Sequence, residues 1–389
     1  MACGAPHELT LARFRAARRA GSADAILRLA ARFGLAPELG RFCSGLPPGD
    51  IDGVARIAVA GGLAAKARSL ACLRLLARVV ATPACAASSP IAFKGAALAL
   101  AGYYAWGERY MTDADLLVPR QSLGDWEAAV RDRGLGWLRR PSDHYEGAIV
   151  SDGATRLEVH VALPGKGGRS RGPSYEQVLP HTVPPDPRTG IEGVRTPDAS
   201  VSREIAVDHF VFHHGGDPFW ALRTLQDLIR LESGPEGPGL PWDPPSPTRA
   251  AGRLRRIARA ARAGQEDEDD EAREFFAGVS GLVETADAGR SFADDVDLWL
   301  HSERASGGRR LALLGRRLFP PLEEVRRSAD EAAVVTAASY LSRAARMSVR
   351  YLGGAISRLA HPRRTRTQRT WREYLERLSI GARAGRDEG

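Results

Sequence analysis

Asp113 and Asp115 stand two residues apart at the head of the run Asp113-Ala114-Asp115-Leu116-Leu117-Val118. The side-chain period of a β-strand is two, so both carboxylates project from one face of the same strand. Such a pair forms a divalent-cation site that needs a third ligand. Glu158 is the candidate: Thr155-Arg156-Leu157-Glu158-Val159-His160-Val161 alternates apolar and polar residues, which puts Glu158 and His160 on a common face. Three oxygen donors at strand ends suit Mg²⁺, with Mn²⁺ as the alternative, and polyphosphate chemistry.

Lys94 and Gly95 add the anion side of that chemistry. Ile91-Ala92-Phe93 predicts a short strand and Ala96 to Ala101 a helix of strong helix formers, so Lys94-Gly95 is a strand-to-helix turn. Free backbone N–H groups at such a turn, beside an ammonium, can receive phosphate oxygens. Lys94 is also one of only three lysines, with Lys66 and Lys166, in a chain whose basic residues are otherwise arginine. A compact point charge is therefore expected to matter there.

The surrounding elements must hold these groups. Residues 7–44 and 52–80 repeat apolar residues at helical spacing, the second with Leu63, Leu70, Leu73, Leu75 and Leu76 as its stripe. After the Asp113 strand, Pro119 ends the run and residues 123–133 predict an amphipathic helix carrying Leu123, Trp126 and Val130. A hairpin follows, from Glu146 to Val150, through Ser151-Asp152-Gly153, and back along Thr155 to Leu163. The Gly- and Pro-rich residues 164–200, with Lys166, Arg169 and Arg171, read as a long excursion that either closes over a substrate or is a solvated insertion.

Helical spacing returns from Ser200. His209 and His213 share a helix face but lack the His-Glu-x-x-His spacing of a zinc site, which leaves packing or substrate contact. Arg223 and Asp227, four apart on the next helix, form either a surface ion pair or a pair facing the phosphates. Arginines 253, 255, 256, 259 and 262 run into the acidic block 266–271, and opposite charge runs can satisfy each other. The basic tail, with Trp371, Tyr374, Leu375 and Leu378, reads as a terminal helix that docks on the protein, a partner or an anionic surface. Three regions result: helical residues 1–88, an α+β catalytic region 89–200 with a mixed sheet, and helical residues 201–389 with the basic tail.

A net charge of +8 carried almost wholly by arginine, among many Ala, Gly and Pro residues, reads as compositional bias before it reads as a nucleic-acid surface. Cys3, Cys43, Cys72 and Cys85 are too widely spaced for a zinc knuckle or a redox Cys-x-x-Cys. No apolar run of about 18 residues and no basic region leading into an apolar core appears. A cytoplasmic setting without membrane spanning is expected.

Lys94-Gly95, Arg109, Thr112-Asp113-Ala114-Asp115 and Glu158-Val159-His160, in that order, resemble the uncharacterised nucleotidyltransferase family of the polymerase-beta-like nucleotidyltransferase superfamily. The broader superfamily has Gly-Ser where Lys-Gly stands here. The resemblance is clearest over residues 91–162 and extends loosely to the helices from His209 to Asp227. It implies a nucleotidyltransferase-type mixed sheet in which Asp113, Asp115 and Glu158 hold Mg²⁺ against an NTP, and Glu158 orients or deprotonates an acceptor hydroxyl. Lys94 and Arg109 would bind phosphate oxygens, with Gly95 admitting their close approach. Thr112 would bind phosphate or a turn; His160 would contact the acceptor, support Glu158 or simply pack. The basic Gly-rich loop and the helices from His209 to Asp227, with Arg223 and Asp227 as candidate contacts to the nucleotide, are expected to shape the far wall of the site.

The implied reaction is transfer of an NMP group, ATP being one candidate donor, to a hydroxyl or phosphate acceptor. A small molecule or peptide is favoured over nucleic acid, while members of the family lie near peptide natural-product tailoring, toxin-like modification and sugar or antibiotic modification, so the acceptor does not follow from the resemblance. A transferase using another activated donor, such as a nucleotide-sugar, and an inactive binding or assembly protein are the alternatives.

Overall fold

The computed structural model describes residues 34–47, 52–139, 146–164, 171–210, 218–233, 249–263, 265 and 268–285, and singly residues 15, 30, 370, 371, 373, 374 and 377. By contacts the chain divides into Met1–Ala277 with Glu376–Gly389, and Gly278–Leu375. The first unit carries the sheet.

Helix α1 (Ala36–Ser44) packs on the long α2 (Gly53–Val80), whose N-terminus is capped by Asp52 Oδ1 accepting from Ala55 N at 2.9 Å. The stripe expected along α2 holds only in part: Leu73, Leu75 and Leu76 are buried, but Leu63 is 63% exposed. In the first half of α2 the buried line is instead Ala55, Ala58, Gly62 and Ala65. Gly62 lies so close to Gly40 of α1 that a Cβ on either would meet the other's backbone at 3.0 Å. Small residues permit that approach and push Leu63 outside the contact.

A short α3 (Pro83–Ala87) leads into β1 (Ile91–Phe93), α4 (Lys94–Leu100), β2 (Asp113–Leu117), α5 (Leu123–Asp132), β3 (Gly136–Arg139), β4 (Glu146–Ser151) and β5 (Arg156–His160). These strands form one mixed sheet in the order β1-β2-β5-β4-β3. Only β2 and β5 run parallel; the other neighbours are antiparallel. The β4–β5 turn is fastened by Asp152, whose Oδ1 accepts from the backbone of Ala154 and Thr155. Strand β5 ends at His160, earlier than the expected Leu163. Beyond it, β6 (Ala162–Pro164) leaves the sheet to pair with β7 (Arg171–Ser174).

Alternation sorts the sheet's two faces. Ala114, Leu116, Leu157, Val159, Ala148 and Val150 point into a core shared with the second half of α2 and with Trp126 and Val130 of α5. The opposite face is apolar at one end, where Ile91, Phe93 and Leu117 pack with Tyr175, Val178 and Val201. Toward the head of β2 it turns acidic.

The excursion expected over 164–200 carries regular elements from Arg171 onward. Tyr175–Val178 forms a short capped helix α6, then β8 (Thr182–Val183) pairs with β9 (Thr196–Pro197). Arg195 N donates to Pro90 O and Ala92 N to Arg195 O, so the segment ties down the free edge of β1. Lys166 and Arg169 lie outside the described residues. Helices α7 (Ala199–Asp208), α8 (Pro218–Ser233), α9 (Arg249–Ala263) and α10 (Asp270–Thr285) follow. The acidic block takes two arginines of α9, Arg256 through Asp269 and Arg253 through Glu271, while Arg255 and Arg259 pair instead with Glu232 of α8. Of the tail, Trp371 and Tyr374 are buried and stacked at 5.3 Å between ring centroids. No helix among the described residues is long and apolar enough to cross a membrane.

Candidate metal centre

The register of the parallel pair assembles the site. Asp113 pairs with Arg156, Asp115 with Glu158 and Leu117 with His160, while antiparallel β1 sets Phe93 opposite Asp115. Phe93, Asp115 and Glu158 therefore form one row across the sheet on one face. One residue beyond Phe93 the chain turns sharply: Lys94 has φ 53°, a left-handed conformation costing a side-chain-bearing residue about 1–2 kcal/mol. That turn brings Lys94 Nζ within 2.8 Å of Asp115 Oδ1. His160 Nε2 stands 3.1 Å from the same oxygen and 3.5 Å from Glu158 Oε2.

Asp115, Glu158 and His160 each offer one ligand atom, and these atoms lie within 4.8 Å of one another. His160 thus joins Asp115 and Glu158 at closest range, and Asp113, the other member of the expected triad, stands beside them at the head of β2. Asp113 lies near enough for mutual repulsion: burial, then Asp115 and Glu158, raise its carboxyl above the ordinary range. Burial pushes Asp115 in the same direction, yet Lys94 and His160 together hold it well below the usual carboxylate value. Burial opposes the charge on Lys94 and on His160, but Asp115 and Glu158 together outweigh it in each case, with Asp113 adding to the effect on Lys94, so both values are raised. Close-set carboxylates with cations drawn onto them have the charge and donor chemistry of a divalent-cation site, and an imidazole nitrogen among them admits Mn²⁺ as readily as Mg²⁺. Thr112 is exposed at the mouth.

Arg109 and Asp227 are brought together from residues far apart in the chain. Arg109 Nε donates to Asp227 Oδ1 at 2.9 Å and Nη2 to Oδ2 at 2.7 Å, a bidentate pair to which Tyr104 adds its hydroxyl at 2.8 Å. All three residues are buried. Arg109 Nη1 fills the space that a Cβ on Gly95 would need, so Gly95 admits this guanidinium and the left-handed backbone falls on Lys94 instead. The surface ion pair considered for Arg223 and Asp227 does not form; Asp227 is bound by Arg109, and Arg223 is buried between Tyr110 and Trp220. His209 meets Trp220 edge to face at 5.5 Å, and His213 lies outside the described residues.

Sequence reasoning missed Tyr104, Tyr110, Glu38 and Gln226. Glu38 on α1 accepts from Gln226 Nε2 on α8 at 2.6 Å, a second tie between helices at opposite ends of the unit's sequence. Its only sequence signal is a lone acid in an otherwise apolar stretch of α1.

A family model described as uncharacterised nucleotidyltransferase matches residues 21–233, from ahead of α1 to the last residue of α8. Neither a curated protein nor a solved structure matches the chain. The matched span takes in both ties, Glu38 with Gln226 and Arg109 with Asp227, of whose residues only Arg109 lies in the segment where the motifs are dense.

Proposed function

The chain belongs to the uncharacterised nucleotidyltransferase family, and from that premise we propose that it moves a nucleoside monophosphate from an NTP to a hydroxyl or phosphate acceptor, releasing pyrophosphate. The observation that carries this reading is the convergence of Asp115, Glu158 and Lys94 on one point of the sheet. Asp115, Glu158 and His160 would hold Mg²⁺ or Mn²⁺, with Asp113 completing the set from the strand head. The ion would neutralise the phosphate charge and polarise the reacting oxygens.

The chain's own groups have separable tasks. Glu158, the more exposed of the two paired carboxylates at 26% against 6%, receives the proton of the acceptor hydroxyl as its oxygen attacks the α-phosphorus. The bond from that phosphorus to the bridging oxygen breaks, and pyrophosphate leaves with the electron pair. Lys94, beside Asp115, is the cation that would meet the phosphate oxygens if a metal ion took its place on that carboxylate. His160 holds Asp115 in place from the floor of the site, where it is 1% exposed.

A small molecule or peptide is the proposed acceptor. Supporting this, Arg253, Arg255, Arg256 and Arg259 of α9 each meet an acid, which interrupts a basic track along the described residues of that helix. A cytoplasmic setting, where NTPs and reduced thiols coexist, suits the buried thiols of Cys43, Cys72 and Cys85. The test is pyrophosphate release measured with each NTP and with nucleotide-sugars in an extract supplying acceptors. Metal-dependent pyrophosphate release from an NTP supports the reading; turnover of nucleotide-sugars alone replaces it with a different transferase.

A further inference from the structure

Arg223 on α8 is 8% exposed, and its Nε has no hydrogen-bond partner among the described residues. Its guanidinium carbon lies 5.5 Å from the ring centre of Tyr110 and 5.2 Å from that of Trp220. Aromatic rings stabilise a cation but leave Nε unsatisfied. The acid one turn along the helix, Asp227, gives both its oxygens to Arg109 and Tyr104. Glu38 also feels the Arg223 charge, but burial raises its own carboxyl above the ordinary range. Burial, reinforced by repulsion from Arg109, brings Arg223 down to about 10.

A guanidinium taken out of water without a direct anionic partner is a substantial cost to the fold. The surrounding chain nevertheless makes room for it: Gly34, at φ 67°, has no Cβ where one would come within 3.5 Å of Arg223 Nη1 and 3.1 Å of Tyr110. Two contacts set Arg223 beside the acidic face. Tyr110, against whose ring it lies, is three residues ahead of Asp113, and Asp227, one turn along the same helix, is bound by the Arg109 guanidinium that fills the space beside Gly95.

We propose that Arg223 is an anion-receiving residue that binds the polyphosphate of the nucleotide through its unsatisfied guanidinium edge, a role resting on the NTP reading of the site. The cost of burying it is then a device for affinity, and removing the charge separates affinity from stability. In Arg223→Met the apolar stem is kept and the uncompensated charge is lost.

The experiment is calorimetric titration of the full chain with inorganic tripolyphosphate in the presence of Mn²⁺, alongside thermal unfolding without ligand, for the wild type, Arg223→Met and Arg223→Lys. The expected result is that Arg223→Met melts at or above the wild-type temperature yet binds tripolyphosphate about 10- to 100-fold more weakly, the loss of one or two charge-assisted hydrogen bonds. Arg223→Lys regains part of that affinity. Wild-type affinity in Arg223→Met, or weakened binding that Arg223→Lys does not improve, overturns the proposal and leaves Arg223 a packing residue. If the wild type binds neither tripolyphosphate nor an NTP, the nucleotide reading itself fails, an outcome distinct from the first two.

Discussion

Lys94 Nζ and Asp115 Oδ1 form a 2.8 Å ion pair in which the two side chains are 16% and 6% exposed. The ammonium thus lies against the carboxylate that the proposed metal centre requires, held there by a left-handed backbone at Lys94 itself. A cation of the protein and a cation from solution compete for one oxygen, and this competition has measurable consequences.

Removing Asp115 is expected to damage both binding and folding. Asp115→Asn should weaken Mn²⁺ at least about 100-fold and cost about 3 kcal/mol of stability, because Lys94 is left buried without its partner. Glu158→Gln, at a more exposed position, should weaken Mn²⁺ while costing under about 1 kcal/mol. Mn²⁺ titration and denaturant unfolding of both variants check this; equal stability losses would count against the Lys94 pairing.

Removing Lys94 should act in opposite directions on the two ligands. Without the competing ammonium, Lys94→Met should bind Mn²⁺ alone about tenfold more tightly and bind an Mn²⁺–NTP complex about tenfold more weakly. Unchanged Mn²⁺ affinity would show that lysine and metal do not share Asp115.

Gly95 is predicted to be intolerant for a reason located across the fold. A Cβ there displaces Arg109 Nη1 and loosens the bidentate pair with Asp227, so Gly95→Ala should cost about 2–4 kcal/mol. Gly124 of α5 has nothing within 4 Å of its Cβ position, and Gly124→Ala should be neutral or stabilising by up to about 1 kcal/mol. Urea unfolding of the two variants makes the comparison.

Glu38 gives the fold a pH dependence of definite sign. Burial raises its carboxyl above the ordinary 4.5 despite the hydrogen bond from Gln226, so the folded state favours the neutral form. Its contribution is most favourable below pH 4.5 and is lost as pH rises through the raised folded value. Glu38→Gln should therefore raise Tm more at pH 8 than at pH 4. A gain that is equal at both values would place the ionisation elsewhere.

The metal side of this site was legible because strand alternation is a local signal. Asp113, Asp115, Glu158 and His160 declare their faces within a few residues of chain, and only the register of β2 on β5 was needed to join them. The Arg109–Asp227 pair spans 118 residues, and nothing near either residue names the other. Spacing of four on a helix suggested Arg223 for Asp227 instead, since local geometry cannot reveal that a distant arginine arrives with two better-placed donors. Gly95 carries a further task that its place before a helix does not announce: Arg109 of the same chain fills the space a Cβ would need. Leu63 failed because periodicity marks apolar positions without saying that a neighbouring helix will pack on glycine and alanine.

The central claim is that the site transfers the α-phosphorus of an NTP. The direct measurement supplies each NTP, labelled in the α-phosphate or separately in the γ-phosphate, with Mn²⁺ and a cell extract, to the full chain and to Asp115→Asn. The account predicts a labelled acceptor from the α-labelled donor, label in released pyrophosphate from the γ-labelled donor, and neither product with Asp115→Asn. Acceptor labelled from the γ-phosphate, or wild-type and Asp115→Asn reactions that cannot be told apart, would contradict it.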